Sequence, residues 1–204
     1  MAFKFNHTHK TFIAFVIHFV QLICAAILTG GIAEQAQYGP SNTCLLFISN
    51  YQRVTNTHYL FTAISPSCSF VVAIGAIGII LSLVLGAGSL FFLFRNESRA
   101  GRVILVFFVI STIYSILLLV ASSVASAGIR TTCGFLEQSG TSCDAIFAGG
   151  FFEDTDQTYI KNLTTVYAAI GAGWFGLIVW IAYTVIEFRN WKASRNTFNS
   201  SGRF

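Results

Sequence analysis

A chain of 204 residues in which 54% are hydrophobic and only 10% are charged departs from soluble domains, where about a quarter of residues carry charge. Its mean hydropathy of +0.69 and pI near 8.9 go with a membrane protein. The net charge of +4 is not the footprint of a nucleic-acid binder, because no basic patch alternates with aromatics.

Four apolar runs, about 11–33, 67–94, 103–128 and 164–186, contain no Asp, Glu, Lys or Arg. Each reaches the ~20 residues a helix needs to cross a bilayer. The fold class read from this is an all-α membrane protein, a four-transmembrane-helix bundle forming a single domain over residues 1–204. About seventy residues remain in two long loops, too few for an independent soluble core of ordinary size.

The first run ends in the small-residue stretch Leu28-Thr-Gly-Gly-Ile-Ala33, which looks like a signal-peptidase site, but its apolar stretch exceeds the ~7–15 residues of a signal h-region. It is read as a retained signal-anchor. His18, Gln21 and Thr29 are its polar departures. Polar groups at membrane depth invite a functional reading, yet a single His with no acid or second His at relay spacing is more simply a buried hydrogen-bonding residue.

Loops of about 34–66 and 129–163 follow the first and third spans. Nine of the twelve Lys and Arg lie in the N-terminus, the 95–102 connection and the tail 187–204, leaving Arg53, Arg130 and Lys161 in the long loops. The positive-inside rule then puts both termini in the cytoplasm and the long loops outside or in a lumen, in a plasma or secretory-pathway membrane. Four of five cysteines fall on that oxidising side: Cys44 and Cys68 with the first loop, Cys133 and Cys143 with the second. The expected bridges are Cys44–Cys68 and Cys133–Cys143, each closing one segment, with bridges between the loops left open; Cys24 lies in mid-membrane. The sequons at Asn6, Asn96 and Asn199 fall on the cytoplasmic side, and Asn162-Leu-Thr abuts span four.

Lipid gives no hydrophobic reward for pressing helices together, so close approach depends on small residues. Span two carries Gly75, Gly78, Ser82, Gly86 and Ser89 at spacings of three and four. Span four offers Ala168, Ala172 and Gly176, and span three Ser111, Ser115, Ser122 and Ser126. These stripes are expected to pack the bundle, with a partner groove as the sharper alternative. Trp174 and Trp180 lie deep in span four, suited either to helix contacts or to lipid.

Catalytic chemistry is not legible, and neither cofactor nor metal is called. The four His do not cluster, and Glu153-Asp-Thr-Asp156 lacks the spacing and glycine of an EF-hand. No intramembrane charge, filter motif or broken helix pair marks a pore.

The arrangement resembles the transmembrane protein 179 family of four-span proteins. The matching features are Pro66-Ser-Cys68 opening span two, the connection Arg99-Ala-Gly-Arg102, and Gly128-Ile-Arg-Thr-Thr-Cys133 followed by Cys143. They cover roughly Cys44 to Cys143. The claudin pattern of a Trp and Gly-Leu-Trp with paired Cys in the first loop is absent, since no Trp lies there, which ranks claudin-like readings lower and leaves a divergent MARVEL-type tetraspan as a lesser alternative. The resemblance implies architecture and no defined activity. The function expected is a non-catalytic accessory or scaffolding subunit, binding a larger integral membrane protein through its helices and loops, with membrane lipids around it. The alternative is a homo-oligomeric membrane organiser or channel-forming tetraspan.

Overall fold

The computed structural model describes residues 2–38, 43–48, 51–53, 58–61, 66–95, 101–138, 140, 142–144, 147, 151–154 and 157–201. Four long helices dominate: α1 (Ala2–Gly31), α2 (Ser67–Arg95), α3 (Gly101–Gln138) and α4 (Leu163–Ser201). Their membrane-length apolar stretches are Phe12–Ala36, Ser67–Phe92, Arg102–Gln138 and Leu163–Arg195, and the chain is a multi-pass membrane protein.

Helix ends follow local chemistry. At α4, Asn162 Oδ1 accepts from Thr164 N at 2.9 Å, an N-cap that satisfies one of the helix's orphan donors. Pro66 precedes α2, with Phe70 N donating to Pro66 O at 2.9 Å. At the far end of α1 the helix widens into a π-helical turn, Ile32–Ala36. The Ala36 carbonyl there accepts from Leu45 N at 2.7 Å, which turns the chain back across the bundle.

Helix α1 is the centre of the packing, lying against α2 on one side and α4 on the other; α3 packs mainly on α4. Leu28, Ala121, Ala125, Val166, Ala169 and Trp180 are among the residues buried between them. The outward faces carry Phe19, Ile80, Ile116, Phe175 and Ile178, large apolar side chains suited to lipid.

The second long connection begins later than the apolar run predicts. Residues 129–138 continue α3, so the helix is 38 residues long, about 57 Å, and outruns a ~30 Å hydrocarbon core. Gly128 does not stop it because Ile129, Thr132 and Leu136 keep a buried face running onward. The connections also hold β-structure that hydropathy does not reveal. A short pair, β1 (Gln37–Tyr38) and β2 (Thr43–Cys44), precedes a four-stranded sheet of β3 (Tyr51–Arg53), β4 (His58–Phe61), β5 (Phe151–Asp154) and β6 (Gln157–Ile160). Two antiparallel hairpins, β3–β4 and β5–β6, are joined by parallel pairing of His58 with Phe151 and Tyr59 with Phe152. The two connections thus form one sheet.

Candidate functional site

Two regions gather the chain's distinctive side chains. The first is the base on which the sheet stands. Disulfides Cys44–Cys68 and Cys133–Cys143 tie β2 to the start of α2 and the end of α3 to the segment after it. Between them runs 43–48, in which Leu45, Leu46 and Ile48 are buried. Thr132 on the extended α3 pins this segment from both sides: its hydroxyl donates to Leu45 O at 2.8 Å and accepts from Ile48 N at 3.1 Å. Phe47 adopts a left-handed backbone, φ 62°, an uncommon conformation for a residue with a side chain. Its N–H bonds Gly128 O at 3.2 Å. A Cβ on Gly128 would stand 2.8 Å from Leu46 Cβ and 3.0 Å from the Phe47 ring, so glycine is what lets the segment lie on α3.

A third brace joins the ends of α1 and α4. Lys161, buried, donates through Nζ to the Glu34 carbonyl in the π-turn, and Asn162 N donates to Gln35 Oε1 at 2.7 Å. Burial pushes the Lys161 ammonium below its ordinary pKa, and the charge of Glu34 opposes that shift in part. Of the acidic run Glu153-Asp-Thr-Asp156, residues 155 and 156 lie outside the described residues, as do residues 99 and 100 of the connection Arg99–Arg102.

The second region is a polar seam inside the bundle. His18 on α1 is buried and its Nδ1–H donates to Gln21 Oε1 at 2.7 Å. The His18 ring lies 4.5 Å from the Tyr183 ring, edge to face, and 6.4 Å from Trp180. Tyr114 on α3 packs on Trp180 with ring centroids 4.6 Å apart, and its hydroxyl donates to Ile74 O at 3.1 Å. One turn beyond Tyr183, Glu187 is only 1% exposed. The hydropathy reading places Glu187 in the tail; the signal that could have found it is the run Trp180, Tyr183, Glu187 at spacings of three and four, one face of a helix. Gln21 also borders a void of about 10 Å³ among α1, α3 and α4. Trp180 is thus a core residue, whereas Trp174 faces outward, 39% exposed, with its indole N–H on Ser126 Oγ at 2.9 Å.

The small-residue positions divide. Gly75, Gly78, Ser82 and Gly86 are buried. A Cβ on Gly75 would collide with Thr29, one on Gly78 with Tyr114 and Ala25, and one on Gly86 would touch His18 Cβ at 3.4 Å. This face of α2 is therefore turned inward. On α4 the expected stripe is rotated: Ala168 is exposed and Ala172 half-buried, and of the three only Gly176 is buried, where an added Cβ would stand 3.2 Å from Cys24 Cβ. The face that meets α1 is instead Ala169, Gly173 and Gly176. A Cβ on Gly173 would be 2.8 Å from Ser122 Oγ, and one on Gly31 2.6 Å from Ala169 Cβ.

Four apolar helices, long connections on one side of the bundle and cystines bracing them define a tetraspan of claudin-like class. The family model of the transmembrane protein 179/179B claudin domain matches residues 8–202, and the chain belongs to that family. The match extends the resemblance from the middle of the chain to nearly all of it, and shows that a missing Trp and Gly-Leu-Trp does not set this chain apart from claudin-type domains. No curated protein matches the chain.

Proposed function

We propose that this tetraspan is a non-catalytic accessory or scaffolding subunit, held beside a larger integral membrane protein by the sheet side of the bundle and by outward helix faces. The observation that carries the reading is the fusion of both connections into one sheet on a base fixed by two disulfides, Thr132 and Lys161. A stiff surface loses less conformational entropy when a partner settles on it. The small-residue stripe of α2 is used up inside the bundle, so the partner surface lies elsewhere. Charge asymmetry supports a plasma or secretory-pathway membrane with both termini cytoplasmic. Protease added to sealed cells should spare tags at both ends; cleavage of either tag contradicts the orientation.

The test of the subunit reading is crosslinking in native membranes followed by purification in mild detergent. A larger membrane protein recovered in fixed ratio is the expected result. A homo-oligomeric organiser or channel is the second reading, favoured by the outer strands of the sheet, β3 and β6, which among the described residues pair on one side only and so suit strand addition by another copy. A complex whose mass is a whole multiple of this chain, with no second polypeptide, selects it.

A further inference from the structure

Where α3 rises beyond the apolar core, it and α4 part to leave a groove of about 520 Å³. Ile129 and Ile170 form its apolar floor, and Arg130, Glu137 and Tyr167 its exposed walls. Just below, Trp174 is fixed by its bond to Ser126. Arg130, Gly134 and Glu137 follow one another at spacings of four and three, so they stand on one face of α3 with a gap between the two charges. The gap exists because the middle residue is glycine: a Cβ at Gly134 would have nothing within 4 Å. Among the described residues, no ion pair or side-chain hydrogen bond engages Arg130 or Glu137.

Depth fixes what can reach this groove. Arg102 and Arg130 bracket the apolar length of α3 and lie about 42 Å apart at 1.5 Å per residue, which matches the ~40–45 Å of a bilayer with its headgroups. Arg130 therefore stands at phosphate level, with Glu137 further out.

We propose that this groove holds one zwitterionic glycerophospholipid from the surrounding bilayer, with a choline or ethanolamine headgroup. Arg130 pairs with the phosphate, for which a guanidinium fork is suited. Glu137 and the face of Tyr167 receive the head's cationic amine. The glycerol and upper acyl chain lie on Ile129 and Ile170. The charges on the walls balance, so a head of net negative charge meets Arg130 but is repelled by Glu137, and diacylglycerol leaves both charges unmatched. This inference stands apart from the accessory-subunit reading and does not depend on it.

The test is native mass spectrometry of the full chain, purified in mild detergent and offered an equimolar mixture of phosphatidylcholine, phosphatidylglycerol and diacylglycerol. One phosphatidylcholine retained per chain, over the other two, is the expected result. Gly134→Leu puts a side chain into the gap, where an added Cβ has nothing within 4 Å, and should cut retention about tenfold or more at a melting temperature no lower than the wild type's, the loss of one charge-assisted contact being of that order. Arg130→Gln should remove the advantage over diacylglycerol, and Glu137→Gln should raise phosphatidylglycerol relative to phosphatidylcholine. Both change exposed side chains and keep the question open to measurement should Gly134→Leu fold poorly. No retained lipid, a preference for phosphatidylglycerol or diacylglycerol, or identical retention in the two charge variants overturns the proposal.

Discussion

Glycine has opposite roles at the two seams of this bundle. Along α1, Gly31, Gly75, Gly78, Gly173 and Gly176 are points of contact, each with a neighbour so near that a Cβ would touch or collide with it. In the α3–α4 groove, a Cβ on Gly134 would have nothing within 4 Å, and there the absent side chain leaves open space. Composition cannot tell these apart, because both kinds of glycine sit in helices. What separates them is whether the facing helix is close enough to occupy the vacated volume. In a membrane the first kind stabilises association through close van der Waals contact; the second leaves a recess open to whatever lies alongside.

The sharpest way to break the comparison is to make the same substitution at both seams. Gly78→Leu must displace the Tyr114 hydroxyl from Ile74 O and push against Ala25, so overpacking of ~1–3 kcal/mol is joined by a lost buried hydrogen bond. At Gly134 an added Cβ meets nothing within 4 Å, and leucine replaces a poor helix former with a good one. In detergent, Gly78→Leu should give little folded monomer on size exclusion, while Gly134→Leu should melt at or slightly above the wild-type temperature. Equal melting of the two variants would erase the distinction between the seams.

The connection side adds covalent and polar braces to its one close glycine contact, Gly128 against Leu46 and Phe47, and it should fail separately. Chain-entropy reasoning assigns about 3.4 kcal/mol to Cys44–Cys68 and about 2.7 kcal/mol to Cys133–Cys143, whose sequence separations are 24 and 10. Cys44→Ser with Cys68→Ser should therefore lower stability more than the corresponding double change at Cys133 and Cys143, and hydrogen exchange should rise first at Leu45, Leu46 and Ile48. A loss of protection that begins at His18 or Trp180 would mean that the base and the polar seam unfold as one unit.

Much of this architecture was legible because it follows from charge and side. A run without charges fixes each span, sorting the cysteines by side of the membrane picks out the four that bridge, and the preference for closing one segment at a time gives the two pairs the structure has. Face assignment on α4 was less secure for a geometric reason. Residues four apart drift by about 40° around a helix of 3.6 residues per turn, so Ala168, Ala172 and Gly176 spread across an arc about twice that width and leave the interface. Ala169, Gly173 and Gly176, at spacings of four and three, nearly cancel the drift. On α2 the mixed spacing from Gly75 to Ser89 does the same, and all five positions are buried. The sheet was out of reach because its key pairing, His58 with Phe151, joins short strands far apart in sequence, and nothing in either segment's hydropathy marks the other. Glu187 was missed because one charge at the edge of an apolar run reads as the start of a tail.

The mildest effect is expected at Lys161 and concerns pH. Burial disfavours its ammonium in the folded chain, so its folded pKa lies below the ordinary 10.5. Below the folded value both states hold the proton and the full penalty is present. Between the folded value and 10.5 the unfolded chain binds more protons, so stability rises with pH across that window and levels off above it. Lys161→Met removes the titrating group and also the bond to the Glu34 carbonyl, so its absolute stability is not the readout. The slope is: wild-type melting temperature should climb with pH through the alkaline window relative to Lys161→Met, with other titrating groups common to both chains cancelling. Parallel curves would mean that the ammonium is as well solvated in the folded protein as in water, and the brace between α1 and α4 would then be a surface contact, weaker than the glycine seams it is set against.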